Sequence, residues 1–103
     1  MTRLLPSSVV VGGIRYSVRR IKNLSAGEQK LDGHINYGRA IIEIEDDIDD
    51  QVAIETLWHE IIHAILVQAG QSKISKNEMA IEALAYGIAQ VITDNPRLQE
   101  DVT

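Results

Sequence analysis

The sequence predicts an α+β fold: a small antiparallel sheet of three to four strands, followed by two packed helices. Short β-branched and alternating segments fill the first half of the chain, glycines separate them at hairpin positions, and after residue 50 the apolar residues recur at helical spacing. With 103 residues, the chain is long enough for one core. We assign residues 1–96 to a single domain and residues 97–103 to a flexible C-terminal tail.

Two hairpins are predicted in the strand region. Residues 9–11 are three valines, and Gly12-Gly13 after them is a two-residue hairpin signal into the alternating segment 14–18. Residues 25–30 are polar and are predicted to form a loop. A second hairpin is predicted to join a strand at 33–37 to a strand at 40–45.

Two helices are predicted in the second half. The first carries an apolar stripe at the i, i+3, i+4 spacing, formed by Ile54, Leu57, Trp58, Ile61, Ile62, Ile65, Leu66 and Ala69. The acidic cluster 45–50 supplies caps at its positive end, and Gly70 ends it. The second helix is predicted to begin at Ser75, since the run Ser75-Lys76-Asn77-Glu78 matches a capping box, and to end before Pro96.

Composition narrows the classes of partner. The net charge of −5 argues against nucleic acid or an anionic membrane as partner, and we interpret the basic residues near the N-terminus as a solvated strand face. The chain has no cysteine, which excludes disulfides, cysteine zinc sites and thiol nucleophiles. No segment has the pattern of a signal peptide or a membrane span. We therefore expect a cytoplasmic protein.

The first predicted helix contains the run His59-Glu60-Ile61-Ile62-His63. Residues four apart lie on one face of a helix, so both imidazoles can bind one ion, and neutral imidazoles are suitable ligands for Zn²⁺. Glu60 stands beside them, where a carboxylate can take a proton from water activated by the metal. The alternative is a pair of surface histidines. The stripe they occupy carries no lysine, which favours the metal site.

The third ligand is predicted on the second helix, where Glu78 and Glu82 lie one turn apart. Spacing alone does not separate them. The capping box would occupy Glu78 at the helix end, so we predict Glu82 as the ligand. The spacing His-Glu-x-x-His (HExxH) on a helix is typical of metalloproteases. Such an enzyme also needs a donor that stabilises the developing oxyanion. The sequence does not choose among the candidates, which are Tyr37, Tyr86 and His34.

The strand at 40–45, the HExxH helix and the following segment Glu82-Ala83-Leu84-Ala85-Tyr86 together resemble the zincin metallopeptidases that have a glutamate third ligand. The chain is most similar to the minimal ImmA/IrrE-type proteins of bacteriophages and mobile elements, over roughly residues 9–93. The resemblance implies a zincin-like fold, zinc held by His59, His63 and Glu82, Glu60 as general base, and a strand beside the cleft that can pair with an extended peptide.

Two functions are compatible with these residues. The first is a zinc-dependent endopeptidase acting on a protein or peptide substrate, such as a repressor, in a bacterial or phage-infected cytosol. The second is a non-catalytic zinc-stabilised interaction module. Structural zinc sites are closed by four protein ligands, and His34 is the donor available to complete such a site.

Overall fold

The computed structural model describes residues 5–98 and has the α+β architecture that the sequence predicts. Six strands precede three helices: β1 (Ser8–Val11), β2 (Ile14–Ile21), β3 (Ser25–Ala26), β4 (Gln29–Lys30), β5 (Gly33–Asn36), β6 (Ile41–Glu45), α1 (Asp50–Gln68), α2 (Ser72–Ser75) and α3 (Glu78–Asp94). Of the predicted tail, residues 97–98 belong to a turn in which Leu98 N donates to Asn95 O at 3.0 Å. Residues 99–103 lie outside the described residues.

The main sheet has the strand order β1-β2-β6-β5 and is mixed, not antiparallel as predicted. Both predicted hairpins are present, β1 with β2 and β5 with β6. The central pair is parallel, with Ser17 opposite Ile41 and Ile21 opposite Glu45. Strand β6 contains two fully buried isoleucines, Ile42 and Ile44. Because such a strand is covered best in the middle of a sheet, it inserts beside β2 and leaves β5 at the edge.

The predicted loop at 25–30 is instead a small hairpin of β3 and β4, which pair antiparallel around Gly27. Gly27 has a φ of 64°, in the left-handed region that glycine adopts without a steric cost. This hairpin carries the chain from the end of β2 to the start of β5 at the far edge of the sheet.

Helix α1 lies between the sheet and α3. Its first face packs on the sheet in the larger core, which consists of Val11, Tyr16, Ile42, Ile44, Ala53, Leu57, Ile61 and Ala64. Its second face packs on α3 in a smaller core of Ile62, Ile81 and Ala85. The chain has no Phe, and apart from Tyr16 the buried residues of both cores are aliphatic. No helix within residues 5–98 is long and apolar enough to cross a membrane.

The predicted ends of α1 are confirmed. Asp49 caps the helix by accepting a hydrogen bond from Gln51 N at 3.1 Å. At the other end Gly70 has a φ of 75°, and the chain closes in a Schellman arrangement with Gln71 N donating to Leu66 O at 2.7 Å.

The capping box predicted at Ser75 is wrong. Ser75 is the last residue of the one-turn helix α2, and α3 begins at Glu78. The cap of α3 is Asn77, whose Oδ1 accepts a hydrogen bond from Ala80 N at 3.2 Å. Asparagine caps helices at least as well as serine, so the two candidate starts compete and the later one is used. Glu78 is therefore not committed to a capping bond with Ser75.

Candidate metal centre

His59 and His63 lie on consecutive turns of α1 and face the same point, as their spacing predicts. Their Nε2 atoms are 3.1 Å apart and the ring centroids are 4.8 Å apart. Both rings are mostly buried, with 14% and 12% of the side chains exposed. Because neighbouring faces of α1 pack on the sheet and on α3, the two rings are confined to the groove between them.

Glu78 brings a carboxylate to the same point. Its Oε1 lies 2.9 Å from His63 Nε2 and its Oε2 lies 3.0 Å from His59 Nε2. Among residues 5–98, His59, His63 and Glu78 are the group whose ligand atoms all lie within 4.8 Å of one another. Ligand atoms around a tetrahedral zinc ion are about 3.3 Å apart. The three groups therefore fit such an ion after a small outward movement.

Glu82 contacts the opposite side of the His59 ring. Its Oε2 lies 3.1 Å from His59 Nδ1, not from the Nε2 atom that faces Glu78. Glu82 as the third ligand therefore stays a prediction of the sequence, while the arrangement of the atoms favours Glu78. As an acceptor for the Nδ1 proton, Glu82 would fix the His59 tautomer that leaves Nε2 free to bind a metal.

Two contributors to the site were not predicted from the sequence. Ser75 is buried, and its Oγ lies 2.7 Å from His63 Nδ1, so both histidines have a polar partner on the nitrogen that faces away from Glu78. Gly33 lies against α1 at the start of β5, where a Cβ atom would be 2.5 Å from Thr56 Cγ2. The sequence did not reveal the role of Ser75, because Ser75 and Asn77 are both good helix caps.

His63 is tuned toward the neutral form. Burial lowers the pKa of its imidazole, and the neighbouring charge of Glu78 opposes this shift by raising it. Neutral imidazole is the form that binds a metal. A lowered pKa therefore reduces the competition between protons and a metal ion for the His63 nitrogen.

Glu60 is buried in the wall of the groove with 6% of its surface exposed. Burial raises the pKa of its carboxyl to about 7, against the attraction of His59 and with the further repulsion of Glu78 and Glu82. A Cβ atom at Gly33 would lie 3.1 Å from Glu60 Oε2, so the carboxylate reaches the edge of β5.

Two adjoining clefts share Gly33, His59 and Glu60. The first, of about 200 Å³, is called the acidic cleft and is also lined by Asp32, Val52, Glu55, Thr56 and Glu82. The second, of about 270 Å³, is called the tyrosine cleft and is also lined by Leu31, His34, Ile35, Tyr37, His63 and Glu78. Together they follow the free edge of β5 past the two histidines.

The three oxyanion candidates differ in position. Tyr37 and His34 line the tyrosine cleft, whereas Tyr86 is 59% exposed on α3 and lines neither cleft. Burial, followed by the charge of Glu60, raises the pKa of the Tyr37 phenol, although hydrogen bonding to the Ser75 side chain lowers it. The phenol therefore stays protonated and able to donate. His34, the candidate fourth ligand, is not part of the group that converges on the metal position.

The outer edge of β5 has free backbone groups beside Glu60. Glu45 N donates to Asp32 O at 2.7 Å, which makes Asp32 and Glu45 a hydrogen-bonded pair. Since such pairs alternate along antiparallel strands, the N–H and C=O groups of Gly33 and Ile35 point away from β6. Both residues line the clefts, so this edge is available to an extended segment.

Comparisons with protein-family models, with characterised proteins and with solved structures give no match for this chain. The interpretation of the site therefore depends on its own residues and geometry.

Proposed function

We propose that the chain is a zinc-dependent metallopeptidase similar to the ImmA/IrrE-type zincins. The observation that carries this proposal is the convergence of three ligand groups, the Nε2 atoms of His59 and His63 and the carboxylate of Glu78, next to a buried Glu60 and an open strand edge. The donor set of two imidazoles and one carboxylate is typical of catalytic zinc sites, which keep one position for water or substrate.

In this proposal His59, His63 and Glu78 hold the metal. A bound zinc ion would lower the pKa of water and polarise the carbonyl of the scissile bond. The contacts from Glu82 to His59 Nδ1 and from Ser75 to His63 Nδ1 keep both rings oriented toward the metal. This assignment exchanges Glu82 for Glu78 relative to the sequence prediction.

Glu60 acts as the general base and then as the general acid. Its carboxylate accepts a proton from the attacking water and returns it to the amine of the leaving product. A base is most effective when its pKa is near the working pH, and burial has moved the pKa of Glu60 to about 7. Tyr37, across the tyrosine cleft, is the donor we assign to the carbonyl oxygen as it becomes charged.

The substrate in this proposal is an extended segment of a protein or peptide. Such a segment can add to the edge of β5 by pairing with the backbone groups of Gly33 and Ile35. The missing side chain of Gly33 allows close approach to Glu60. A repressor with an exposed linker belongs to this class. We propose the bacterial or phage-infected cytosol as the location, in keeping with a chain that has no cysteine.

The test compares zinc-loaded wild type with the Glu60→Gln variant on a random peptide pool and on candidate repressors. The amide keeps the shape of the side chain and is not a ligand in this proposal, so zinc content should stay at one equivalent. Cleavage should fall by about 10²–10⁴-fold. Glu28→Gln, in the exposed turn between β3 and β4, is the matched control and should retain full activity. Equal inertness of both zinc-loaded proteins would favour the non-catalytic zinc module.

A further inference from the structure

Helix α3 is more apolar than its place on the outside of the fold requires. It packs on α1 through Ile81 and Ala85, and among the elements of residues 5–98 only α1 packs extensively on it. The segment 83–92 nevertheless contains no charged residue. A helix that is apolar on all sides is normally buried, whereas a surface helix carries charged or polar residues on its outer face. A further surface is therefore expected to cover part of α3.

The uncovered side of α3 forms an open apolar groove of about 440 Å³. We call it the α3 groove; apolar residues of α3 between Ala83 and Ile92 line it, together with Leu98 after the helix. Leu84, Val91 and Leu98 are 50%, 50% and 46% exposed there. The groove shares no residue with the acidic cleft or the tyrosine cleft, so an occupant would leave both clefts open.

Gly87 lies in the middle of this groove and leaves space that no described residue fills. Beyond the adjoining helix backbone, a Cβ atom at this position would have nothing within 4 Å. Glycine is less favourable than alanine inside a helix, so α3 loses stability here without a reason within residues 5–98. A missing side chain lets another backbone approach closely. The position is therefore suited to the crossing point of a second helix.

The charges at the two ends of α3 match an antiparallel copy of the same helix. Asp94 is exposed in the last turn, where the helix dipole disfavours a carboxylate, and that turn contains no basic residue. Lys76 is exposed just before the first turn, and Glu78 in that turn faces the two histidines of α1. Gly87 is next to Tyr86, the central residue of α3. A two-fold axis near Gly87 would therefore place Asp94 of one copy beside Lys76 of the other.

We propose that the α3 groove binds the same groove of a second copy of this chain, with the two α3 helices antiparallel and crossing near Gly87. In such a symmetric pair the apolar residues cover one another, and the terminal charges form two equivalent ion pairs. One pair of helices buries less than the roughly 800 Å² per partner of a standard interface, so we expect a dimer that dissociates at micromolar concentrations. Such a dimer would form whether or not the chain cleaves peptides.

Sedimentation velocity of the full chain with one equivalent of Zn²⁺, from about 1 µM to about 500 µM, measures the dimer directly. The wild type should pass from monomer to dimer over this range. Val91→Glu would bring two carboxylates into the apolar interface and should raise Kd at least about tenfold. Val10→Glu is the matched control, because Val10 is 55% exposed on β1 and does not line the groove. Its Kd should equal that of the wild type.

Exchange of charges tests the antiparallel arrangement. Lys76→Glu and Asp94→Lys should each raise Kd roughly fivefold at low salt, because each single change replaces two attractions by two repulsions. The double variant should dimerise like the wild type. Both single changes introduce charges that the dipole of α3 favours, so they should not destabilise the monomer. Thermal unfolding at low protein concentration checks this.

A protein that remains monomeric at every concentration overturns this inference. A dimer whose Kd is unchanged in Val91→Glu also overturns it, and this includes a dimer bridged by Zn²⁺ through other residues. If both single charge variants weaken the dimer and the double variant does not restore it, an antiparallel second copy is excluded. Dimerisation that is lost in Val91→Glu, kept in Val10→Glu and restored in the double variant supports the proposed pair of helices.

Discussion

The carboxylate of Glu82 lies 3.1 Å from Nδ1 of His59, on the side of the ring opposite the nitrogen that faces His63 and Glu78. His59 is therefore held at both of its nitrogens by α3. An imidazole has one lone pair available for a metal when its other nitrogen carries the proton. In the proposed site the two glutamates of α3 thus have different roles: Glu78 faces the position proposed for the metal, and Glu82 orients the ring.

This difference predicts unequal effects of two matched substitutions. Glu78→Gln removes a charged ligand and should weaken zinc binding by well over tenfold. Glu82→Gln keeps an acceptor oxygen for the Nδ1 proton of His59. Its zinc affinity should therefore fall by no more than about tenfold, the smallest effect typical of changing a residue that hydrogen-bonds a metal ligand. Competition with a zinc chelator measures both affinities.

Thermal unfolding of both zinc-free variants is the control, since Glu78 lies in the first turn of α3 and Glu82 lies one turn further along. If Glu82→Gln loses zinc while Glu78→Gln keeps it, the original prediction of Glu82 as third ligand is right and the ligand set proposed from the structure must be exchanged.

Tyr37→Phe should separate transition-state stabilisation from substrate binding. The phenol lines the tyrosine cleft and remains a donor because its pKa is raised. Loss of one oxyanion donor costs about 10²–10³-fold in kcat. With a metal sharing the charge, we expect the lower end of that range and little change in KM or zinc content. Steady-state kinetics on a cleaved peptide provides both constants.

Tyr86→Phe is the matched control, because Tyr86 is exposed and lines neither cleft. Its kinetics should equal those of the wild type. The reverse pattern, with activity lost in Tyr86→Phe alone, would transfer the oxyanion role to α3.

Glu45 should make the fold sensitive to acid. Its carboxylate accepts hydrogen bonds from Asp47 N at 2.9 Å and Leu24 N at 2.8 Å, and these lower its pKa despite the opposing effect of burial. Because the folded-state pKa lies below the ordinary value of about 4.3, the stabilisation is complete above that value. It is lost as the pH falls through the folded-state pKa.

Urea unfolding of the zinc-free protein between pH 6 and pH 3 tests this expectation. Glu45→Gln should be less stable than the wild type at pH 6, because its single amide oxygen can accept only one of the two hydrogen bonds and its NH₂ group would face the other N–H. Its stability should also vary less with acid. Glu28→Gln is the control. An acid dependence of Glu45→Gln as steep as that of the wild type would assign the effect to other carboxyls.

The elements that depend on short-range patterns were predicted well. The Gly12-Gly13 turn, the pairing of β5 with β6 and both ends of α1 follow from turn chemistry, alternation and capping. The parallel pairing of β2 with β6 was missed, because alternation within a strand shows which face is buried but not which neighbour it meets. A hairpin signal identifies only partners that are adjacent along the chain.

The same limit applies to the candidate site. His59, Glu60 and His63 were recognised because one helix sets their spacing. The choice between Glu78 and Glu82 depended on which residue caps α3, and Ser75 and Asn77 are both good caps. Only the packing of α2 against α1, which brings Ser75 to His63, distinguishes them. The approach of Gly33 to Glu60 joins a strand to a helix, and no local pattern in the sequence encodes it.

The proposed metal ligands lie on α1 and α3 and none lies on the sheet, which has a consequence for the response to zinc scarcity. His59 and Glu78 are only 19 residues apart in the sequence. A metal ion bound to both would therefore close a short loop that contains helical segments and no strand. The apolar contact that holds α3 to α1 is the smaller of the two cores. Chelation should therefore release α3 by local unfolding while the sheet and α1 stay folded. If the chain is the zinc peptidase proposed above, a metal-starved cell would retain an inactive protein whose sheet and α1 are still folded, and zinc could restore it without complete refolding.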